Sequence, residues 1–267
     1  MQEPRNTELL ARPLTARSVM ASLLLGMHPP RMASQRLVQW CALFGIAPGT
    51  ARVALSRMVE RGEAHWVEGT YELAGRVLSR QAAQDWSLEP QLHEWDTSWS
   101  LAVVTREARA ANARAAFRNA MRRARYAEVR EGCWTRPDNL PRESAPDEVW
   151  AIVDEQCSWW SGRPEREERT LADDLFAPRA WAERARDLLE RLAVVTDRLR
   201  AGETDALAGG FIVGAATLQH IRNDAMLPRE VLPGRWPGNE LRDAYRKYQG
   251  AFSVTAGDWF RSADVPV

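Results

Sequence analysis

The stretch FGIAPGTARVALSRMVERG, Phe44 to Gly62, decides how the N-terminal part of this chain is read. Gly45 falls where two helices would reverse direction, since a residue without Cβ takes a positive φ without strain. Pro48 follows as a helix opener: its fixed φ suits the first turn and its missing donor is not needed there, while Gly62 closes the segment. Between them Ala51, Ala54, Leu55, Met58 and Val59 recur at three- and four-residue spacing and predict a buried stripe. Thr50, Arg52, Val53, Ser56 and Arg57 are left facing outward. Two guanidinium forks, two hydroxyls and one methyl-bearing side chain on one helix face suit contact with base edges and phosphates in a major groove. An ordinary solvated face can carry the same arginines, so the flanking sequence has to decide.

After Gly62, the runs Ala64 to Val67 and Thr70 to Leu73 are rich in strand-favouring residues and are separated by Glu68-Gly69, which predicts a hairpin. Upstream, Thr15 to Met27 carries Val19, Met20, Leu23 and Leu24 at helical spacing, and Ser34 is placed to cap a second helix holding Leu37, Val38 and Cys41. The order helix, helix, helix, hairpin is that of a winged helix-turn-helix.

Three separated blocks then resemble the PaaX-like transcriptional repressors of bacterial aromatic-acid catabolism. These are the FGI turn with Ala51 to Met58; Trp95, Asp96 and Trp99 leading to Gly132, Trp134 and Pro137; and Leu227-Pro228, Leu232-Pro233 and Trp236-Pro237-Gly238. The resemblance implies a ligand-responsive homodimer that binds a palindromic operator in double-stranded DNA through Thr50, Arg52, Val53, Ser56 and Arg57. It also implies an aryl- or acyl-coenzyme A thioester as the class of small-molecule effector, with no bound cofactor. One departure concerns the hairpin: the family commonly carries arginines beside this turn, whereas His65 to Thr70 offers a histidine and an acid.

Further along, SLAVVT within Ser98 to Thr105 predicts a buried strand, followed by a helix from about Glu107 to Arg125 with Phe117, Ala120, Met121 and Ala124 inward. Tyr126 to Arg130 and Cys133 to Arg136 predict a hairpin around Gly132, and Val149 to Val153 a last strand. This is the outline of a ferredoxin-like domain, and the family resemblance implies the same; Pro141 and Pro146 leave little room for its second helix. Arg114, Arg118 and Arg122, with Arg125, form a stripe beside the apolar face, either a solvated row or a seat for the anionic part of an effector. The last third predicts helices around Trp181 to Val195, Phe211 to Ile221 after a Gly209-Gly210 break, and Leu241 to Phe260. Trp159, Trp160, Trp181, Trp236 and Trp259 read mainly as core fillers.

The expected fold is therefore α+β and multidomain: a flexible arm over 1–13, a winged helix-turn-helix over 14–85, a linker from Gln84 to Asp96, a ferredoxin-like domain over 95–155 and a helical domain over 165–267. A composition of 45% hydrophobic and 27% charged residues is that of a folded chain. Net charge is zero, but ten arginines face seven carboxylates over residues 1–85, while residues 141–267 carry five more acids than bases. Any DNA contact thus belongs at the N-terminal end. Three scattered cysteines predict buried thiols and no disulfide framework, and the absence of a signal pattern or a long apolar run predicts a cytoplasmic protein without a membrane span. No catalytic motif joins His28, His65, His93 and His220, and the first central strand ends Val104-Thr105-Arg106, with no carboxylate for metal-assisted nuclease chemistry; an enzyme is not expected. Two other readings compete with the repressor: a winged-helix module that binds only protein, and a non-catalytic RNA binder using the central sheet.

Overall fold

The structure is a computed structural model that describes residue 9, residues 14–106 and residues 110–263. The expected arm over 1–13, apart from residue 9, and the start of the central helix at 107–109 lie outside the described residues. In chain order the first elements are α1 (Ala16–Leu25), β1 (Arg31–Ala33), α2 (Ser34–Ala42), α3 (Pro48–Glu60), β2 (Ala64–Val67), β3 (Thr70–Leu73) and α4 (Gly75–Leu88). There follow β4 (Trp99–Val104), α5 (Ala111–Arg123), β5 (Ala127–Arg130), β6 (Cys133–Pro137), α6 (Asp147–Asp154) and β7 (Cys157–Gly162). Helices α7 (Glu168–Phe176), α8 (Pro178–Arg200), α9 (Ala206–Arg222) and α10 (Gly238–Ala263) complete the chain. Contacts divide it into two units, one of Met1–Gln84, Ala185–Arg222 and Asn239–Val267, the other of Asp85–Arg184 and Asn223–Gly238. The C-terminal segment 165–267, expected as one helical domain, is thus shared between them.

In the first unit, α1, α2 and α3 pack pairwise through fully buried Val19, Met20, Leu24, Leu37, Leu55 and Met58. Helix α1 starts in a reciprocal cap: Thr15 Oγ1 accepts from the Ser18 amide at 3.1 Å and Ser18 Oγ accepts from the Thr15 amide at 2.8 Å. Ser34, expected as a cap, is instead the first residue of α2, behind Ala33. Strands β2 and β3 pair antiparallel with Trp66 opposite Tyr71, and β1, a strand with no sequence signal, adds to the far side of β3. Their turn has Glu68 at φ 48° and Gly69 at φ 81°, the double positive φ of a two-residue hairpin turn with the twist that flanking strands need.

Trp40 of α2 is fully buried, with the rings of Phe44, Phe211, Phe252, Trp259 and Phe260 around it at centroid distances of 5.8 to 6.0 Å. Those rings come from α9, α10 and the turn after α2, so the last helices complete the core of the N-terminal one. Gly209 and Gly210, expected to interrupt a helix, lie inside α9. Close packing explains the small residues: a Cβ on Gly210 would lie 3.1 Å from Val195 Cγ2, and one on Gly214 would lie 2.4 Å from the Tyr248 hydroxyl. That hydroxyl donates to the Gly210 carbonyl at 2.9 Å.

The second unit is built on an antiparallel sheet of order β5-β6-β4-β7. One face packs on α5 and α6 through Ala102, Trp134, Phe117, Met121, Val149 and Val153. Here two expectations fail. Val149 to Val153 is not a strand but the body of α6, because Val149, Trp150 and Val153 fall on one helical face behind Pro146; the second crossover is therefore complete. The last strand is CSWWSG, Cys157 to Gly162, which has no alternation of apolar and polar residues to betray it. The expected linker from Gln84 likewise begins inside α4, with Gln84 and Ser87 buried.

Across the other sheet face Trp99 packs with Ala172, Leu227, Val231 and Leu232. Trp181 and Trp236 stack at 4.6 Å. The Leu-Pro segment is tied down by Arg136, which is fully buried and donates to Asn139 Oδ1 at 2.9 Å and to the Pro137, Arg125 and Met226 carbonyls. Burial pushes this guanidinium down to about 9, with the charges of Tyr126, Asp138 and Asp224 opposing that fall only in part.

Candidate nucleic-acid interface

Helix α3 has the expected bounds, opened by Pro48 after Gly45 at φ 68° and closed before Gly62 at φ 65°. Ala51, Leu55 and Met58 form its buried side, Ala54 is half-buried, and Val59, expected inside, is 38% exposed. The stripe is thus narrower than predicted, because the core under α3 takes one row of side chains at each turn. Thr50, Arg52, Val53, Ser56 and Arg57 are all exposed, so one helix face carries the five expected residues together. Ser56 Oγ bonds back to the Arg52 carbonyl at 3.3 Å. Neither the Arg52 nor the Arg57 guanidinium makes a hydrogen bond or ion pair among the described residues, which leaves ten N–H donors available on this face.

Beside that face lies a groove of about 490 Å³ lined by Thr15, Arg17, Thr50, Val53, Arg57 and Arg61. Sequence reasoning missed Thr15, Arg17 and Arg61. The i+4 step from Arg57 was a usable signal for Arg61, whereas nothing local places the start of α1 against α3. Arg17 is held in position by Glu63, with Nε 2.6 Å and Nη2 2.8 Å from the two carboxylate oxygens. That bidentate bond keeps the Glu63 carboxyl below its usual range and raises the guanidinium. The groove rim is therefore one neutralised arginine and two further cations, with an apolar floor from Val53, Ala16 and Ala54.

The hairpin beyond α3 offers a different surface. His65, Trp66, Val67 and Glu68 are exposed, Trp66 at 58%, and no arginine lies at its tip. In the second unit Arg114, Arg118 and Arg122 are exposed along α5. Arg125 leaves that row: at φ 62° it turns back over the Trp86 ring and donates to Ser87 Oγ and the Asp224 carbonyl. Cys41 is buried, which pushes its thiol up to about 11, but Cys133 and Cys157, also expected inside, are half-buried. After β4 come Thr105 and Arg106, the latter 3.8 Å from Glu155.

Residues 15–77, α1 to the start of α4, match the family described as PaaX-like protein, and residues 92–153 match the PaaX protein central Cas2-like domain. The chain belongs to the PaaX-like family. The groove and the α3 face lie wholly within the first PaaX-like match, whereas β7 lies beyond the second. A solved structure of the uncharacterized protein Rv0674 from Mycobacterium tuberculosis is 37% identical, with 92% of this chain and 99% of that one covered at a TM-score of 0.71. The search of curated proteins found no match. Among the described residues no helix is long and apolar enough to cross a membrane.

Proposed function

We propose that this PaaX-like protein is a dimeric transcriptional repressor whose N-terminal unit is a winged helix-turn-helix and whose α3 lies in the major groove of its operator. The observation that carries this reading is the exposed face of α3, where the Arg52 and Arg57 guanidinium groups stand without a partner among the described residues, beside Thr50, Val53 and Ser56. Guanidinium forks of this kind bond guanine edges or phosphates bidentately. The groove next to them supplies one further cation, Arg61, for the backbone of the same duplex. With Glu68 at its tip, the hairpin contributes little to phosphate affinity. Family membership supports a regulatory role, since PaaX-like proteins are generally transcriptional repressors of phenylacetic acid catabolism.

The sheet order β5-β6-β4-β7 with α5 and α6 on one face supports a ferredoxin-like central unit. In this reading the exposed row Arg114, Arg118 and Arg122 receives the anionic part of an aryl- or acyl-coenzyme A effector, which alters the spacing of two recognition helices. The test is duplex binding by the full chain to its own upstream region at graded salt. Arg52→Ala and Arg57→Ala should each weaken specific binding by about 1 to 3 kcal/mol, roughly 5- to 150-fold, with melting unchanged. Undiminished affinity in both variants removes α3 as the reader.

A further inference from the structure

The two edges of the central sheet are treated differently by the sequence. Strand β5 is guarded: its four residues include Glu128 and Arg130, and its pairing with β6 is broken by an irregularity between those two. Charges and bulges of this sort keep an edge from pairing with another chain. Strand β7 has neither. Its six residues, Cys157-Ser158-Trp159-Trp160-Ser161-Gly162, carry no charge and no proline, they pair with β4 in unbroken register, and Trp160 is 65% exposed.

The direction of the peptide groups on β7 follows from the neighbouring strands. Thr105 N donates to the Gln156 carbonyl, whereas Val104 N donates to Gly132 and the Ser98 carbonyl accepts from Asp138 N. Odd residues of β4 therefore turn towards β7 and even residues towards β6. Their partners Ser158, Trp160 and Gly162 point their peptide groups at β4, which turns those of Trp159 and Ser161 outward.

We propose that two copies of this chain join antiparallel along β7 about a two-fold axis at Trp160, which makes one eight-stranded sheet. This rests on the dimer reading above and assigns the surface that makes it. With the axis at Trp160, Trp159 lies opposite the partner's Ser161 and Ser158 opposite the partner's Gly162, so on either side of the central pair a larger residue meets a smaller one. The outward peptide groups of Trp159 and Ser161 then bond their counterparts. Trp160 sits opposite its own copy in a non-hydrogen-bonded pair, where side chains approach most closely and aromatic pairs contribute. A closed two-fold interface uses the same patch twice, and a strand that complements itself meets that condition.

The test uses the full chain in analytical ultracentrifugation. Trp160→Lys puts a charge on the edge strand, and Ser161→Pro removes an outward donor that bonds no acceptor among the described residues. Each should weaken dimerisation at least tenfold with an unchanged circular dichroism spectrum, while Val129→Lys on the guarded edge should not. Trp160→Cys gives an independent reading, because Cα atoms about 4.5 Å apart in a non-hydrogen-bonded pair lie within disulfide range. Mild oxidation should then trap a covalent dimer that neither the parent chain nor Val129→Cys yields. If the parent chain dimerises but the folded edge variants dimerise equally well and Trp160→Cys does not cross-link, the assignment to β7 fails and the dimer stands. A parent chain that is monomeric at micromolar concentration, with and without DNA, overturns both.

Discussion

Trp40 offers the sharpest test of how the first unit is held together. Its indole is fully buried among five aromatic rings, yet its Nε1 has no hydrogen-bond partner among the described residues. Two opposing contributions follow. Truncation to alanine removes a large core side chain and its ring contacts, at a cost of about 3 to 5 kcal/mol. Phenylalanine keeps most of the apolar volume and deletes the unsatisfied N–H, whose burial costs about 1 to 3 kcal/mol. Trp40→Phe should therefore lie within about 1 kcal/mol of the parent, because the lost ring volume and the removed orphan donor offset each other. In a chain of this size each kcal/mol moves the melting temperature by about 2 to 4 °C. Trp40→Ala should thus melt roughly 10 °C lower, as part of the first unit, and Trp40→Phe nearly with the parent. Urea and thermal denaturation followed by far- and near-ultraviolet circular dichroism separate the two outcomes. Equal damage from both substitutions would refute the reasoning, since it would mean the N–H is satisfied or the indole shape alone matters. Operator binding adds a control: Trp40→Ala should lose affinity together with stability, unlike Arg57→Ala.

Gly214→Ala should destabilise by about 1 to 3 kcal/mol, because the new Cβ meets the buried Tyr248 ring, whereas Gly250→Ala in open space on α10 should stabilise by about 0.5 to 1 kcal/mol; two shifts of the same sign in a melting comparison would contradict this packing. The Arg17–Glu63 pair holds the carboxyl below its usual range, so its stabilisation is present above the unfolded carboxyl pKa of about 4.3 and is lost as pH falls through the folded value. Denaturant titrations at pH 6 and pH 3 should show the parent losing more stability than Glu63→Gln, by less than about 1 kcal/mol since Arg17 is 40% exposed; identical losses would exclude the pair. If Arg114, Arg118 and Arg122 receive the effector, Arg118→Glu should bind the operator normally but release it 5- to 150-fold less on addition of an acyl-coenzyme A, and a flat response of the parent to every thioester would remove that class.

The local grammar of the chain determined much of the N-terminal helices and hairpin. Gly45, Pro48 and Gly62 fix where α3 starts and stops because each answers a backbone requirement within a few residues of itself. The spacing of Ala51, Leu55 and Met58 then sets which face is outward, and so places Arg52 and Arg57. The same logic located β4, the β5-β6 hairpin and the apolar faces of α5 and α8. It failed where the deciding partner is remote. Val149 to Val153 has strand-like residues, but the face of α5 beneath them asks for a helix, and CSWWSG becomes a strand only because β4 offers it a ladder. Gly209 and Gly210 lie inside α9 and do not break it, and Gly210 marks a close approach of three helices, which no window along the chain can show. The start of α1 against α3, and with it Thr15 and Arg17 on the groove, is likewise a product of packing. So is the core under α2, where Trp40 waits for rings that lie some 170 to 220 residues further on. Periodicity and turn residues act through neighbours in the chain; which elements meet is settled by the burial of apolar surface, and that is a property of the whole fold.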